Sequence, residues 1–114
     1  MVATGWTQGL AALAAHEWER ARGLLATTME RGQTPEAEHL LGYAEATWWT
    51  NDLDSSIAAR ERAFAVLTAR GDELAAALAA IDLARDHGDK ARPSVARAWA
   101  ERARDLVAKH PESR

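Results

Sequence analysis

The sequence predicts an all-α fold, with six helices arranged as three antiparallel pairs stacked into a solenoid. Three observations carry that prediction. The stretch Gly9-Leu10-Ala11-Ala12-Leu13, running into Glu17-Trp18-Glu19-Arg20-Ala21, is echoed by Ala44-Glu45-Ala46-Thr47-Trp48, running into Asp52-Leu53-Asp54-Ser55-Ser56. Gly9 to Ala44, Glu17 to Asp52, Trp18 to Leu53 and Ala21 to Ser56 are each 35 residues apart, close to the period of paired-helix solenoids. Alanine dominates while Phe and Tyr occur once each, a composition that favours closely approaching helices and is poor in strand formers. Finally, Gly, Pro and capping residues cut the chain at helix-length intervals.

The first helix is expected from about Thr4 to Ala15, with Trp6, Leu10 and Leu13 on one face. The second runs from Glu17 to Arg31, its positions Trp18, Ala21, Leu24, Leu25 and Met29 at helical spacing, and Gly32 supplies the left-handed stop. Thr34 caps the third helix and Pro35 takes its first position; it runs to about Thr50. Asn51-Asp52 breaks it, and Asp52 caps a fourth helix, Leu53 to Arg70, whose buried stripe is Leu53, Ile57, Phe64 and Leu67. Gly71-Asp72 repeats the stop-then-cap logic before a fifth helix, Glu73 to His87, ended by Gly88. After a polar connector, Pro93 starts the sixth, with Val95, Trp99, Leu106 and Val107, ending near Lys109. The short loops make the members of each pair antiparallel. The chain reads as one domain, with repeats at about 2–33, 35–70 and 72–109 and a frayed tail at 110–114. The step into the third pair is 40 residues, from Ser56 to Ala96, and the surplus lies between Ala63 and Ala84, around Gly71.

At 114 residues with a net charge of −3, the chain has no basic field to draw nucleic acid or an anionic membrane. It has no cysteine, which removes disulfide and thiol chemistry. Met1-Val2-Ala3-Thr4-Gly5-Trp6 does not read as a secretory signal, and no apolar stretch approaches the roughly 20 residues that span a bilayer. These features fit a cytoplasmic protein.

The small residues that recur through the helices resemble the tetratricopeptide repeat (TPR), which places such residues where its two helices cross. They are Gly9, Ala21 and Thr28 in the first repeat, Ala44, Ser56 and Ala63 in the second, and Ala84, Ala96 and Ala103 in the third. Thr28 is larger than that family prefers, and Arg60 falls where a large apolar residue is usual. The segment from Trp48-Trp49-Thr50-Asn51-Asp52-Leu53-Asp54 to Ala59-Arg60-Glu61-Arg62-Ala63-Phe64, with Trp99-Ala100-Glu101-Arg102-Ala103, resembles the divergent helical repeats of actinobacterial LuxR-type regulators. The resemblance covers the repeat region alone; the helix-turn-helix reader and the Gly-rich ATPase loop have no counterpart here. It implies a right-handed stack with a concave groove for a protein or peptide.

That groove is expected along the inner face of the third helix, where Glu38, Leu41, Glu45, Trp48 and Trp49 share helical spacing. Trp6 and Leu10 border it from the first helix, and Leu78, Ile81, Asp82 and Arg85 from the fifth. Rings supply contact area and carboxylates supply orientation, a surface suited to a basic or amphipathic peptide. Trp18 and Trp99, in stripe with Leu25 and Leu106, are expected to pack in the core. His16, His39, His87 and His110 read as solvated surface. Glu36-x-x-His39 is half of a dimetal carboxylate motif without its second copy, so no metal or cofactor is expected. The carboxylate pairs Glu17/Glu19, Asp52/Asp54 and Asp82/Asp86 serve as caps or charged helix faces. No nucleophile elbow occurs, and the Arg-rich stretches are interleaved with acids. Three functions follow: a non-catalytic binding module, a homo-oligomeric unit (a homodimer through the last helix), and a small-molecule sensor or enzyme with a Trp-lined pocket.

Overall fold

The computed structural model describes residues 4–113. Val2 and Ala3 of the first expected repeat and Arg114 of the expected tail lie outside these residues. Six α-helices follow one another and no strand occurs among the described residues: α1 (Gly5–Ala14), α2 (Trp18–Glu30), α3 (Ala37–Trp49), α4 (Leu53–Ala69), α5 (Glu73–Asp89) and α6 (Pro93–Ala108), then a short 3₁₀ turn, Pro111–Ser113. No helix among them is long and apolar enough to cross a membrane. The chain divides into two compact units with the boundary between Ala59 and Arg60, inside α4.

Helix ends follow local chemistry, with two departures from expectation. Thr4 caps α1, its Oγ1 accepting the Thr7 N–H at 3.1 Å. The start of α3 is not set by Thr34 and Pro35. Glu36 stands at its N-cap, and the Glu36 N–H donates to Nδ1 of His39 at 3.0 Å, half of a capping box. Gly88 does not end α5; the helix runs one residue further, and Ala91 takes the left-handed conformation (φ 56°).

Left-handed residues close five helices: His16, Gly32, Asn51, Gly71 and Ala91. Around four of them the backbone bonds repeat. The left-handed residue's N–H reaches back three residues, and the next residue's N–H reaches back five, as in Asn51→Trp48 with Asp52→Thr47, and Ala91→Gly88 with Arg92→His87. These are Schellman-type stops that satisfy the helix's last carbonyls. His16, Asn51 and Ala91 keep the 35- and 40-residue steps of the sequence, and Gly71 divides the longer step into two spans of 20. The surplus is now located. Helices α4 and α5 have 17 residues each against 13 each in α2 and α3, while the linker shrinks from residues 31–36 to residues 70–72.

In the first unit α1, α2 and α3 pack together because small residues let them approach. A Cβ at Gly9 would lie 2.6 Å from Leu25 Cδ2, and one at Gly42 would lie 3.1 Å from a methyl of Leu10 and 3.3 Å from one of Leu13. Thr28 is accommodated because Gly5 faces it and its hydroxyl donates to the Leu24 carbonyl at 2.7 Å. Ser56 anchors α4 to α3 by donating to the Ala44 carbonyl at 2.9 Å. Of the nine expected small sites, Ala84 and Ala96 are half-buried and the other seven are buried.

Asp52 does what its position predicts. It accepts the Ser55 N–H at 3.1 Å, the Ser55 hydroxyl at 2.7 Å and Nη2 of Arg22 at 2.7 Å. The Ser55 bonds foremost, with Arg22, hold its carboxyl below the ordinary value of 3.8. The lowered folded value means this stabilisation is complete above the unfolded value, about 3.9, and is lost as pH falls through the folded one. Asp52→Asn is therefore expected to make stability less steep in pH on the acid side, measured as melting temperature from pH 6 down to about 2. An unchanged slope would remove Asp52 from the acid response.

In the second unit α6 packs on α5, and Trp99 meets Phe64 of α4 edge to face, centroids 5.0 Å apart. His110, expected in a loose tail, is held instead. Its Nε2 lies 3.1 Å from Glu73 Oε1, while Lys109 Nζ lies 3.2 Å from Oε2. His110 first, then Lys109, lowers the Glu73 carboxyl below its usual range.

Candidate functional site

The first unit gathers aromatic rings where α2 begins and α3 ends. Trp18 stacks on Trp49, centroids 5.2 Å apart and planes 9° from parallel. It also stacks on His16 at 5.0 Å, and Trp48 meets Trp49 edge-on at 5.0 Å. The helical spacing of α3 places Glu45 one turn before Trp49, and the Trp49 indole N–H donates to Glu45 Oε1 at 2.9 Å. Trp49 is thereby fixed while still 50% exposed. A shallow depression beside it is lined by Glu17, Trp18, Glu19, Arg20, Trp49, Thr50 and Asn51. With Glu45, three carboxylates border the rings against one cation, Arg20, which lies 3.8 Å from Glu17.

The other expected residues of this unit do different work. Trp6 lies flat on His39, centroids 4.3 Å apart and planes 6° apart, and Leu10 packs toward Gly42. Both join α1 to α3. Leu41 is half-buried and Glu38 exposed, its Oε1 3.7 Å from His39 Nε2. His39 is buried, contrary to expectation. Because its Nδ1 accepts from Glu36, the neutral ring carries its proton on Nε2. Trp18 corrects a second expectation: it is half-buried and belongs to the ring stack, not to the core.

In the second unit the expected residues separate. Ile81 is 50% exposed and Leu78 65%. Asp82 and Arg85 are committed to ion pairs: Asp82 Oδ2 lies 3.8 Å from Arg60 Nε, and Arg85 Nη2 lies 3.4 Å from Asp86 Oδ1. At the centre of this network the Arg60 side chain, 2% exposed, donates through Nη1 to Asp86, 0% exposed, at 2.6 Å. A charged helix face therefore does not describe Asp86. Arg60 interrupts an apolar stripe for a reason: its counter-charge sits on the next helix. His87 is likewise buried, with both ring nitrogens unbonded, a correction to its reading as solvated surface.

In helix α5, Ala76, Ala77, Ala79, Ala80 and Leu83 are buried, whereas Leu74, Leu78 and Ile81 are exposed. A groove of about 610 Å³ adjoins that stripe, lined by Ile81, Ala84, Ala100, Ala103, Arg104 and Val107. Trp99, expected to pack in the core, is buried and meets Phe64 edge to face, with the Arg102 guanidinium 4.5 Å above its ring. No group of three or more His, Asp or Glu side chains converges among the described residues in a way that could hold a metal. Compared with known protein families, with curated proteins and with solved structures, the chain matches none.

Proposed function

We propose that this chain is a non-catalytic protein- or peptide-binding module, built as a TPR-like stack of antiparallel helix pairs and acting as an adaptor or as the repeat region of a regulator. One observation carries the reading: Trp49 is presented to solvent yet immobilised, by Glu45 through its N–H and by Trp18 through its face. A fixed ring gives contact area without the entropy cost of ordering it on binding, and aromatic anchors dominate binding energy where they occur. The neighbouring Glu17, Glu19 and Glu45 select the sign of the ligand: a basic or amphipathic segment, its cationic side chains set against indole faces and carboxylates.

The test is capture of the partner from native extract with the tagged protein, repeated with Glu45→Arg/Trp49→Ala and quantified on the identified partner. Losing an aromatic hot spot costs roughly 2 kcal/mol, about thirtyfold in affinity. The double variant is expected to bind at least that much more weakly, with unchanged helical circular dichroism. Undiminished binding by the folded variant would overturn the assignment of this face.

A further inference from the structure

The two ends of the chain present equivalent positions in different states. Adding 75 to a residue of the α1–α2 pair gives its counterpart in α5–α6: Gly9 and Ala84, Ala21 and Ala96, Thr28 and Ala103, with turn residues His16 and Ala91. In the first pair these positions receive α3. Trp6 stacks on His39, Leu25 lies 3.7 Å from where a Cβ on Gly42 would be, and Arg22 reaches past the C-terminal end of α3, its Nη1 3.0 Å from Thr50 Oγ1 and its Nη2 2.7 Å from Asp52.

The counterparts of Trp6, Leu25 and Arg22 are Ile81, Ala100 and Arg97. Ile81 and Ala100 line the open α5–α6 groove. Arg97 is exposed and has no ion-pair or hydrogen-bond partner among the described residues, nor has Arg104 at the groove's edge. Leu74 and Leu78 extend the exposed apolar surface along α5. An exposed apolar stripe of this kind marks an interaction surface.

We infer that the α5–α6 groove is a docking site for an acidic amphipathic helix of a partner protein, one with a carboxylate just beyond its C-terminal end. Adding 75 to Leu10, Leu13 and Leu25, whose methyls crowd Gly42, gives Arg85, Gly88 and Ala100, so the groove has room at Gly88 and Ala100 for apolar side chains of the incoming helix. The terminal carboxylate meets Arg97, as Asp52 meets Arg22. Acidic side chains along the helix answer Arg104. The groove belongs to the second unit, and the inference does not rest on the reading of the Trp18–Trp49 face.

The chain itself supplies a probe of this chemistry. Residues 36–53 contain Glu36, Glu38, Glu45 and Asp52 with no Lys or Arg, and Gly42 near the middle. Isolated helices of this length are marginal in water, so the dye-labelled peptide is stapled on its outward face and titrated against the full chain by fluorescence polarisation. Saturable binding is expected, weakened about tenfold by Arg97→Glu, the loss of one charge-assisted contact. Ala100→Glu is expected to weaken it at least as much. No saturable binding overturns the proposal, as does binding that Arg97→Glu and Ala100→Glu both leave intact. Sedimentation of the chain alone provides the remaining arm. A dimer dissolved by Ala100→Glu would show the groove filled by a second copy and overturn the partner-helix assignment; a monomer supports it.

Discussion

Asp86→Ala is expected to remove about 3–5 kcal/mol of folding stability, the cost of stranding one member of a buried ion pair. The carboxylate is 0% exposed and the Arg60 side chain 2%, and the two meet at 2.6 Å. Without Asp86 the guanidinium loses its 2.6 Å counter-charge, and Asp82 stands further off, at 3.8 Å and itself 41% exposed. A buried charge that loses its close partner is costly. Domains of this size hold roughly 5–15 kcal/mol in total, so the variant sits near the unfolding threshold. Arg60→Met combined with Asp86→Leu removes both charges and fills their volume. That double variant is expected to recover most of the loss, since apolar replacements of buried pairs are often neutral or stabilising. Urea denaturation of Arg60→Met, Asp86→Leu and their combination beside the parent chain closes the cycle. A loss below about 1 kcal/mol for Asp86→Ala, the range of an exposed pair, would mean the pair is open to water.

Trp99→Ala is expected to cost about 3–5 kcal/mol, the usual range for emptying a buried indole site. The ring is buried, meets Phe64 edge to face at 5.0 Å and carries Arg102 over its surface. Those contacts join α6 to α4 within the second unit. Trp99→Phe keeps an aromatic edge for Phe64 and is expected to lose less than half as much, because much of the apolar volume stays. Trp49→Ala is the contrast: its ring is half exposed, and its removal is expected to change stability by about 1 kcal/mol or less, in keeping with one aromatic contact at the surface. Thermal melts of the three variants measure the order. Equal losses for Trp99→Ala and Trp49→Ala would contradict the division of tryptophans into structural and presented ones.

The six helices were legible because Gly32, Gly71 and Pro93 act through backbone geometry that needs no tertiary context. Asp52 was legible for the same reason: a cap is a local bond. Ala91 was not, since a left-handed alanine gives no compositional signal, and Gly88 one turn earlier drew the boundary to itself. Within the candidate site, the spacing on α3 brought Glu45 and Trp49 together correctly, because residues four apart share a helix face. Trp18 was assigned to the core on its stripe, yet its ring partner came from the end of a different helix. That contact depends on how α2 meets α3, which no periodicity encodes. His39 and His87 were misread on polarity alone. One is satisfied by a backbone N–H three residues away, a bond that Glu36-x-x-His39 does permit; for the other the structure offers no bond at all.

In α5, Leu78 and Ile81, expected at a groove, are exposed together with Leu74, while Ala76, Ala77, Ala79, Ala80 and Leu83 are buried. Where helices approach closely, small side chains fill the contact, and four of the buried residues of α5 are alanines. Arg60 and Asp86 carried a usable signal: two charges on consecutive helices, each interrupting an apolar stripe, point to each other.

The left-handed joints at Asn51, Gly71 and Ala91 recur every 20 residues with the same backbone bonds at each. A joint of that kind redirects the chain without help from any particular side chain, since asparagine, glycine and alanine all fill it. One helix with its joint, and not a pair, is then the smallest segment that an in-frame duplication could copy while keeping every carbonyl at the splice satisfied. Lineages of such chains would be free to differ by an odd number of helices.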